Sequence, residues 1–175
     1  RELNKECPDI LMVQAGSVDI TNLKADGYLA ENTEYFQQQT VVSANNLFMA
    51  VSNAAANHPH LKKIIILKQV PRYDVYSSTI PGLKPFLSKL YNDTLDQLGS
   101  SCTFKDKLVI GNHTLDCSGG VMLARYKDIK SGRYDGVHLY GPSGQKAYTE
   151  SVMKILSSAQ LVKASPPKYY DEYDH

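Results

Sequence analysis

The chain has 175 residues, 42% of them hydrophobic and 21% charged, which is the length and composition of one globular domain with a sizeable core. Its formal net charge of +1 gives no broad electrostatic attraction for nucleic acid, so no nucleic-acid partner is expected. No apolar run approaches the ~20 residues needed to cross a bilayer, so no membrane span is expected either.

The first half of the chain alternates between apolar strands and an amphipathic helix. A short apolar run within residues 9–15 predicts a strand buried on both faces, because a half-buried strand would alternate apolar and polar residues. Apolar residues at helical spacing predict a helix over residues 40–57, which ends where Pro59 disfavours the α conformation of His58. A second buried strand is predicted over residues 63–67.

The second half continues this alternation. We predict a second amphipathic helix from Leu83 to Leu98, a third strand over residues 107–110 and a final helix over residues 144–159. Residues 1–162 are therefore predicted to form one domain. The polar, proline-led residues 163–175, rich in Tyr and acidic side chains, are typical of a disordered tail.

Strands that alternate with helices predict an α/β fold with a parallel sheet flanked by helices. Ligands bind such folds at the carboxyl ends of the strands. Arg72 and His113 each follow a predicted strand, so both are candidates for the wall of a substrate site. A solvated ion pair at Arg72 and a simply hydrogen-bonded His113 fit the sequence equally well.

One turn carries a candidate catalytic pair. The segment Tyr134-Asp135-Gly136-Val137-His138-Leu139 places a carboxylate three residues before an imidazole. Asp135 can hold the Nδ1–H of His138 and leave Nε2 free as a general base. The alternative is a structural turn in which Asp135 caps local amides and His138 packs.

Two segments together resemble the SGNH (GDSL-type) hydrolase superfamily. The strand that leads into Gly16-Ser17-Val18-Asp19 resembles the third sequence block of the family, and residues 134–139 resemble its fifth block, Asp-x-x-His. The resemblance covers nearly all of residues 8–159, and residues 133–144 are similar to a sub-group of invertebrate SGNH-like proteins. It implies a flavodoxin-like parallel sheet and an esterase, a hydrolase of carboxylic esters. His138 and Asp135 would then be the catalytic dyad, with Gly16 and Asp19 in the oxyanion loop.

The chain departs from the family pattern in two ways. The first block, which supplies the nucleophilic Ser, and the second, which supplies a glycine donor, have no counterpart before Pro8. Val18 stands where the third block carries an Asn that donates to the oxyanion, and losing one such donor typically lowers the rate by ~10²–10³. Ser17 is the alternative nucleophile inside a recognisable motif, although this position is not catalytic in the family.

Without the first two blocks, the family pattern implies a sheet that is incomplete at its amino-terminal side. Because an unpaired apolar edge invites association, we expect an upstream segment, a partner chain or self-association to complete it. Two functions therefore stay open. One is ester hydrolysis with a nucleophilic Ser supplied from outside this chain, and the other is a catalytically degenerate SGNH-like module, a pseudoenzyme, that binds protein or self-assembles.

Neither a cofactor nor a cellular compartment is indicated by the sequence. The His and Cys residues lack metal-ligand spacing and no glycine-rich phosphate loop is present, so no metal and no cofactor are expected. A Cys102–Cys117 bridge and the glycosylation sequons at Asn92 and Asn112 would permit secretion. Reduced thiols in a cytoplasmic protein fit equally well.

Overall fold

The computed structural model describes residues 8–17, 33–70, 83–113 and 141–161. Its strands are β1 (Ile10–Val13), β2 (Lys63–Leu67) and β3 (Leu108–Gly111), and its helices are α1 (Thr33–Asn57), α2 (Leu83–Ser101) and α3 (Gly141–Ser158). Within these residues the strands form one sheet in the order β1-β2-β3, and both neighbouring pairs are parallel. The predicted α/β class with a parallel sheet is confirmed for this part of the chain.

The central strand β2 is covered on both faces. Ile64 and Ile66 point into a core formed with α1 and α2, whereas Ile65 and Leu67 point into a smaller core with Ile155 of α3. This alternation follows from the two-residue period of a strand. The continuous apolar run at residues 63–67 therefore marks a strand between two layers of helices, as predicted.

Helix α1 begins about two turns earlier than the sequence predicted. Phe36 and Thr40 are both buried, and they continue the stripe formed by Ala44 and Phe48 at a spacing of four residues. The Thr40 hydroxyl donates to the Phe36 carbonyl inside this first part of the helix. The predicted start at residue 40 was wrong because it overlooked Phe36 as the first buried position.

The other element bounds differ by smaller amounts. Helix α3 runs over Gly141–Ser158 instead of residues 144–159, with Pro142 in its first turn, where the missing N–H costs no helical hydrogen bond. Strand β3 is shifted by one residue, to Leu108–Gly111. Gly111 lies under α3, and a Cβ atom there would come within 2.6 Å of Ile155 Cγ2. The helix can therefore approach the strand end closely.

The prediction that β1 is buried on both faces was wrong. Leu11 and Val13 pack against the core, but Ile10 and Met12 are 43% and 49% exposed. Met12 pairs in register with Ile65, so the two lie on the same sheet face. Helix α3 covers this face at β2 and β3 and leaves the β1 side open to solvent.

Two further expectations concern cysteine and the membrane. Cys102 is a free thiol packed against the core, and Cys117, the other half of the considered bridge, lies outside the described residues. In the part of the chain that the structure describes, no helix combines the length and apolarity that a bilayer crossing requires.

Candidate functional site

The parallel sheet brings the residues that follow each strand to one edge, which we call the carboxyl edge. Gln14 follows β1, Lys68 follows β2 and His113 follows β3. The backbone N–H of Lys68 donates to the carbonyl of Gly111 at 3.0 Å, which extends the β2–β3 ladder by one step. Side chains at residues far apart in sequence therefore meet at this edge.

The side-chain amide of Gln14 contacts Lys68, His113 and Tyr148 at the carboxyl edge. Its Nε2 donates to the Lys68 carbonyl at 3.0 Å and lies 3.2 Å from Nε2 of His113. Its Oε1 accepts a hydrogen bond of 2.5 Å from the hydroxyl of Tyr148 on α3. Because a carbonyl can only accept, the Lys68 contact fixes which end of the amide is nitrogen.

His113 is hydrogen-bonded through both ring nitrogens. Its Nδ1 lies 2.9 Å from the hydroxyl of Ser151, which is buried in α3. Its Nε2 faces the amide nitrogen of Gln14, which can only donate, so this contact is a hydrogen bond in the tautomer that carries its proton on Nδ1 and donates it to Ser151. The ring also lies against Tyr148, with centroids 5.2 Å apart.

Burial controls the protonation of this cluster, which we call the Gln14–His113 cluster (Gln14, His113, Tyr148 and Ser151). Desolvation lowers the pKa of His113 below its ordinary value, and a contact with the Lys68 backbone offsets this only in part. Desolvation likewise raises the pKa of Tyr148. Both side chains are therefore favoured in their neutral forms.

The loop after β1 requires glycine at position 16. Gly16 has a φ of +96°, a conformation that L side chains rarely adopt. It is buried on the ring of Tyr91 from α2, and a Cβ atom would overlap that ring. Ser17, the next residue, is exposed at the same edge. The backbone after β1 is thus held in a defined turn.

A second polar cluster lies beside the first, between the end of β2 and α2. The ammonium of Lys68, whose side chain is only 8% exposed, is paired with the Asp96 carboxylate. Ser88 donates to the side chain of Gln69 at 3.0 Å, and the Gln69 side-chain nitrogen has no hydrogen-bond partner within the described ranges. Lys68, Ser88 and Asn112 are among the residues that line a cleft of about 330 Å³ at this place.

The predicted site residues divide into two groups. Gly16, Ser17 and His113 lie at the carboxyl edge, and the Gln14–His113 contact joins the loop after β1 to the end of β3. The other predicted site residues fall outside the described ranges: Val18, Asp19, Arg72, Asp135 and His138.

Sequence reasoning missed the residues that hold this edge together. Gln14 is the first polar residue after the apolar run of β1, and that position alone was the available signal. Tyr148 is one residue of the final amphipathic helix, and helical spacing cannot show that its hydroxyl donates to Gln14. Asn92 was noted as a sequon only, yet its amide is bonded to the Gln69 backbone.

The comparisons with known proteins add no family assignment. No protein-family model matches the chain, and no curated protein matches its sequence.

Over the described stretches, no three His, Cys, Asp or Glu side chains group as metal ligands.

Proposed function

We propose that this chain is a flavodoxin-like SGNH hydrolase domain that acts on carboxylic esters. In this proposal His138 is the general base, Asp135 orients it, and a nucleophilic Ser comes from outside the chain. The observation that carries the proposal is the Gln14–His113 contact, because it joins the end of β1 to the end of β3 at the edge where an α/β fold binds ligands.

Two further features support this proposal. The left-handed Gly16 gives the loop after β1 a sharp turn, as expected for a loop that presents backbone N–H groups to an oxyanion. The neighbouring cleft of about 330 Å³ is lined by Lys68, Ser88 and Asn112, so it suits a short, polar acyl or alcohol group. Arg72 would add to the wall of this site.

The test is hydrolysis of p-nitrophenyl acetate by the chain together with any coding sequence upstream of Arg1. His138→Ala is expected to lower kcat/KM by at least ~10², the usual contribution of a general base. His60→Ala is the matched control, because His60 is an exposed histidine in the turn before β2. Turnover that does not depend on His138, or no turnover by the longer chain, would contradict the proposal.

A second candidate function is self-assembly of a non-catalytic module. It is favoured by the exposed pair Ile10 and Met12 on β1, the strand at one end of the described sheet. A second copy of the chain is the proposed occupant of this surface.

Sedimentation velocity tests this second candidate. Met12→Lys is expected to weaken self-association at least tenfold, whereas Met49→Lys, at an exposed methionine of α1, should leave it unchanged. A monomer at all concentrations would contradict self-assembly. Covalent labelling by a fluorophosphonate probe would contradict the non-catalytic assignment.

A further inference from the structure

The carbonyl of Lys68 lies within reach of two competing donors. Gln14 Nε2 donates to it at 3.0 Å, and His113 also contacts the Lys68 backbone. We infer that Gln14, His113 and this carbonyl form a pH-dependent latch, which releases the loop after β1 when His113 is protonated. This latch does not depend on ester hydrolysis.

With neutral His113, every group in the latch is satisfied. One amide hydrogen of Gln14 goes to the Lys68 carbonyl and the other to Nε2 of His113. Its Oε1 accepts from Tyr148, and the Nδ1–H of His113 donates to Ser151. Gln14 therefore ties the end of β1 to β2, β3 and α3 at once.

Protonation of His113 reverses one of these contacts. Nε2 then carries a hydrogen and faces the NH₂ group of Gln14, so two donors oppose each other. The new N–H can donate to the Lys68 carbonyl as a charge-assisted bond. Because the hydrogens of the Gln14 NH₂ group are partly positive, the imidazolium repels them, and Gln14 moves away from both His113 and the Lys68 carbonyl. The loop that carries Gly16 and Ser17 then loses its anchor.

The opposite side of the ring is unchanged by protonation. Nδ1 donates to Ser151 in both states, so β3 and α3 stay joined while the end of β1 is freed. The change is therefore confined to one loop instead of opening the domain.

The described neighbours of His113 favour its neutral form. From β1 it meets neutral Gln14, and from α3 neutral Ser151 and Tyr148, whose own pKa is raised by burial. From β2 it meets the Lys68 carbonyl, while the Lys68 ammonium is paired with Asp96. None of these described groups is a carboxylate in contact with the ring, so the imidazolium has only neutral acceptors there, the Lys68 carbonyl and the Ser151 hydroxyl.

Nuclear magnetic resonance of the chain between pH 8 and pH 5 tests the latch directly. At pH 8 we expect His113 to carry its proton on Nδ1. On acidification, the side-chain amide of Gln14 and the backbone amide of Gly16 should shift with the midpoint of His113. The control is His58→Gln, directly after α1 and before β2, which should leave the shift of Gly16 unchanged.

Two substitutions at one position complete the test. Gln14→Glu places a carboxylate opposite Nε2–H and should raise the midpoint of His113 by about one pH unit or more. Gln14→Met removes the amide donor that faces His113. His113 should then still titrate, but the backbone amide signal of Gly16 should no longer shift with it. A proton on Nε2 at pH 8, or a Gly16 signal that ignores His113 in the unmodified chain, would overturn the latch.

Discussion

The side chain of Asn92 pairs with both backbone groups of Gln69. Its Oδ1 accepts the N–H of Gln69 at 2.8 Å, and its Nδ2 donates to the carbonyl of Gln69 at 3.2 Å. Gln69 lies two residues beyond β2, where the strand ladder ends, so its backbone groups need other partners. An amide side chain from α2 supplies both and fixes the direction in which the chain leaves the sheet.

Replacing Asn92 should therefore destabilise the domain. Asn92→Ala leaves the N–H and the carbonyl of buried Gln69 unpaired, which should lower the free energy of unfolding by about 1–3 kcal/mol. Asn46→Ala, at an exposed position of α1, is the matched control and should change it by less than about 0.5 kcal/mol. Urea denaturation measures both, and equal effects would refute the role of the Asn92 pairing.

A side chain at position 16 should be poorly tolerated. Gly16→Ala must hold a φ of +96° and also overlaps the ring of Tyr91, so we expect a loss of about 2–4 kcal/mol. The double variant Gly16→Ala/Tyr91→Leu separates the two causes. If the ring contributes, the double variant is less destabilised than the sum of the single variants, and strict additivity would assign the whole effect to the backbone.

Stability should fall at acidic pH because of His113. Burial lowers the pKa of folded His113 below its ordinary value of about 6.5. The unfolded chain therefore binds the proton more tightly, and the stability from neutral His113 is fully present above pH ~6.5 and is lost as the pH falls through the folded pKa. His113→Gln should show a smaller loss between pH 7.5 and pH 5.5 than the unmodified chain in urea denaturation.

A matched control accompanies this pH experiment. His60→Gln removes an exposed histidine and should leave the pH dependence unchanged. A His113→Gln variant with the same acid sensitivity as the unmodified chain would show that another group titrates.

The two ion pairs that involve carboxylates of α2 should differ in their contributions to stability. Asp96→Asn removes the carboxylate that neutralises Lys68, whose side chain is only 8% exposed. It should lower the free energy of unfolding by about 1–2 kcal/mol. The loss is no larger because Asp96 itself is half-exposed and therefore screened by solvent. Asp93→Asn breaks the exposed pair with Lys89, 2.5 Å apart, and should cost less than about 0.5 kcal/mol.

A further variant tests whether the cost at Asp96 arises from an uncompensated charge. Lys68→Met/Asp96→Asn removes both partners, so it should recover part of the stability that Asp96→Asn loses. Denaturant midpoints of the three variants decide this, and equal losses for Asp93→Asn and Asp96→Asn would contradict the assignment.

The sequence by itself determined the elements that depend on local pattern. The run Lys63–Leu67, apolar from Ile64 onward, predicted β2 at its observed bounds, because a strand between two helical layers is apolar on both faces. Apolar spacing predicted the three helices, although Phe36 shows that α1 begins earlier than predicted. The order of these elements also predicted a parallel sheet, and therefore a common edge for the residues that follow its strands.

Only the tertiary structure decided which side chains meet at that edge. Gln14 contacts His113 and Tyr148, which lie 99 and 134 residues away, and no local pattern encodes such a pairing. The sequence likewise could not show that α3 leaves Ile10 and Met12 uncovered, because an apolar run looks the same whether its second face is covered or open. Local propensity specifies an element, whereas the partners of its polar side chains depend on how distant elements pack.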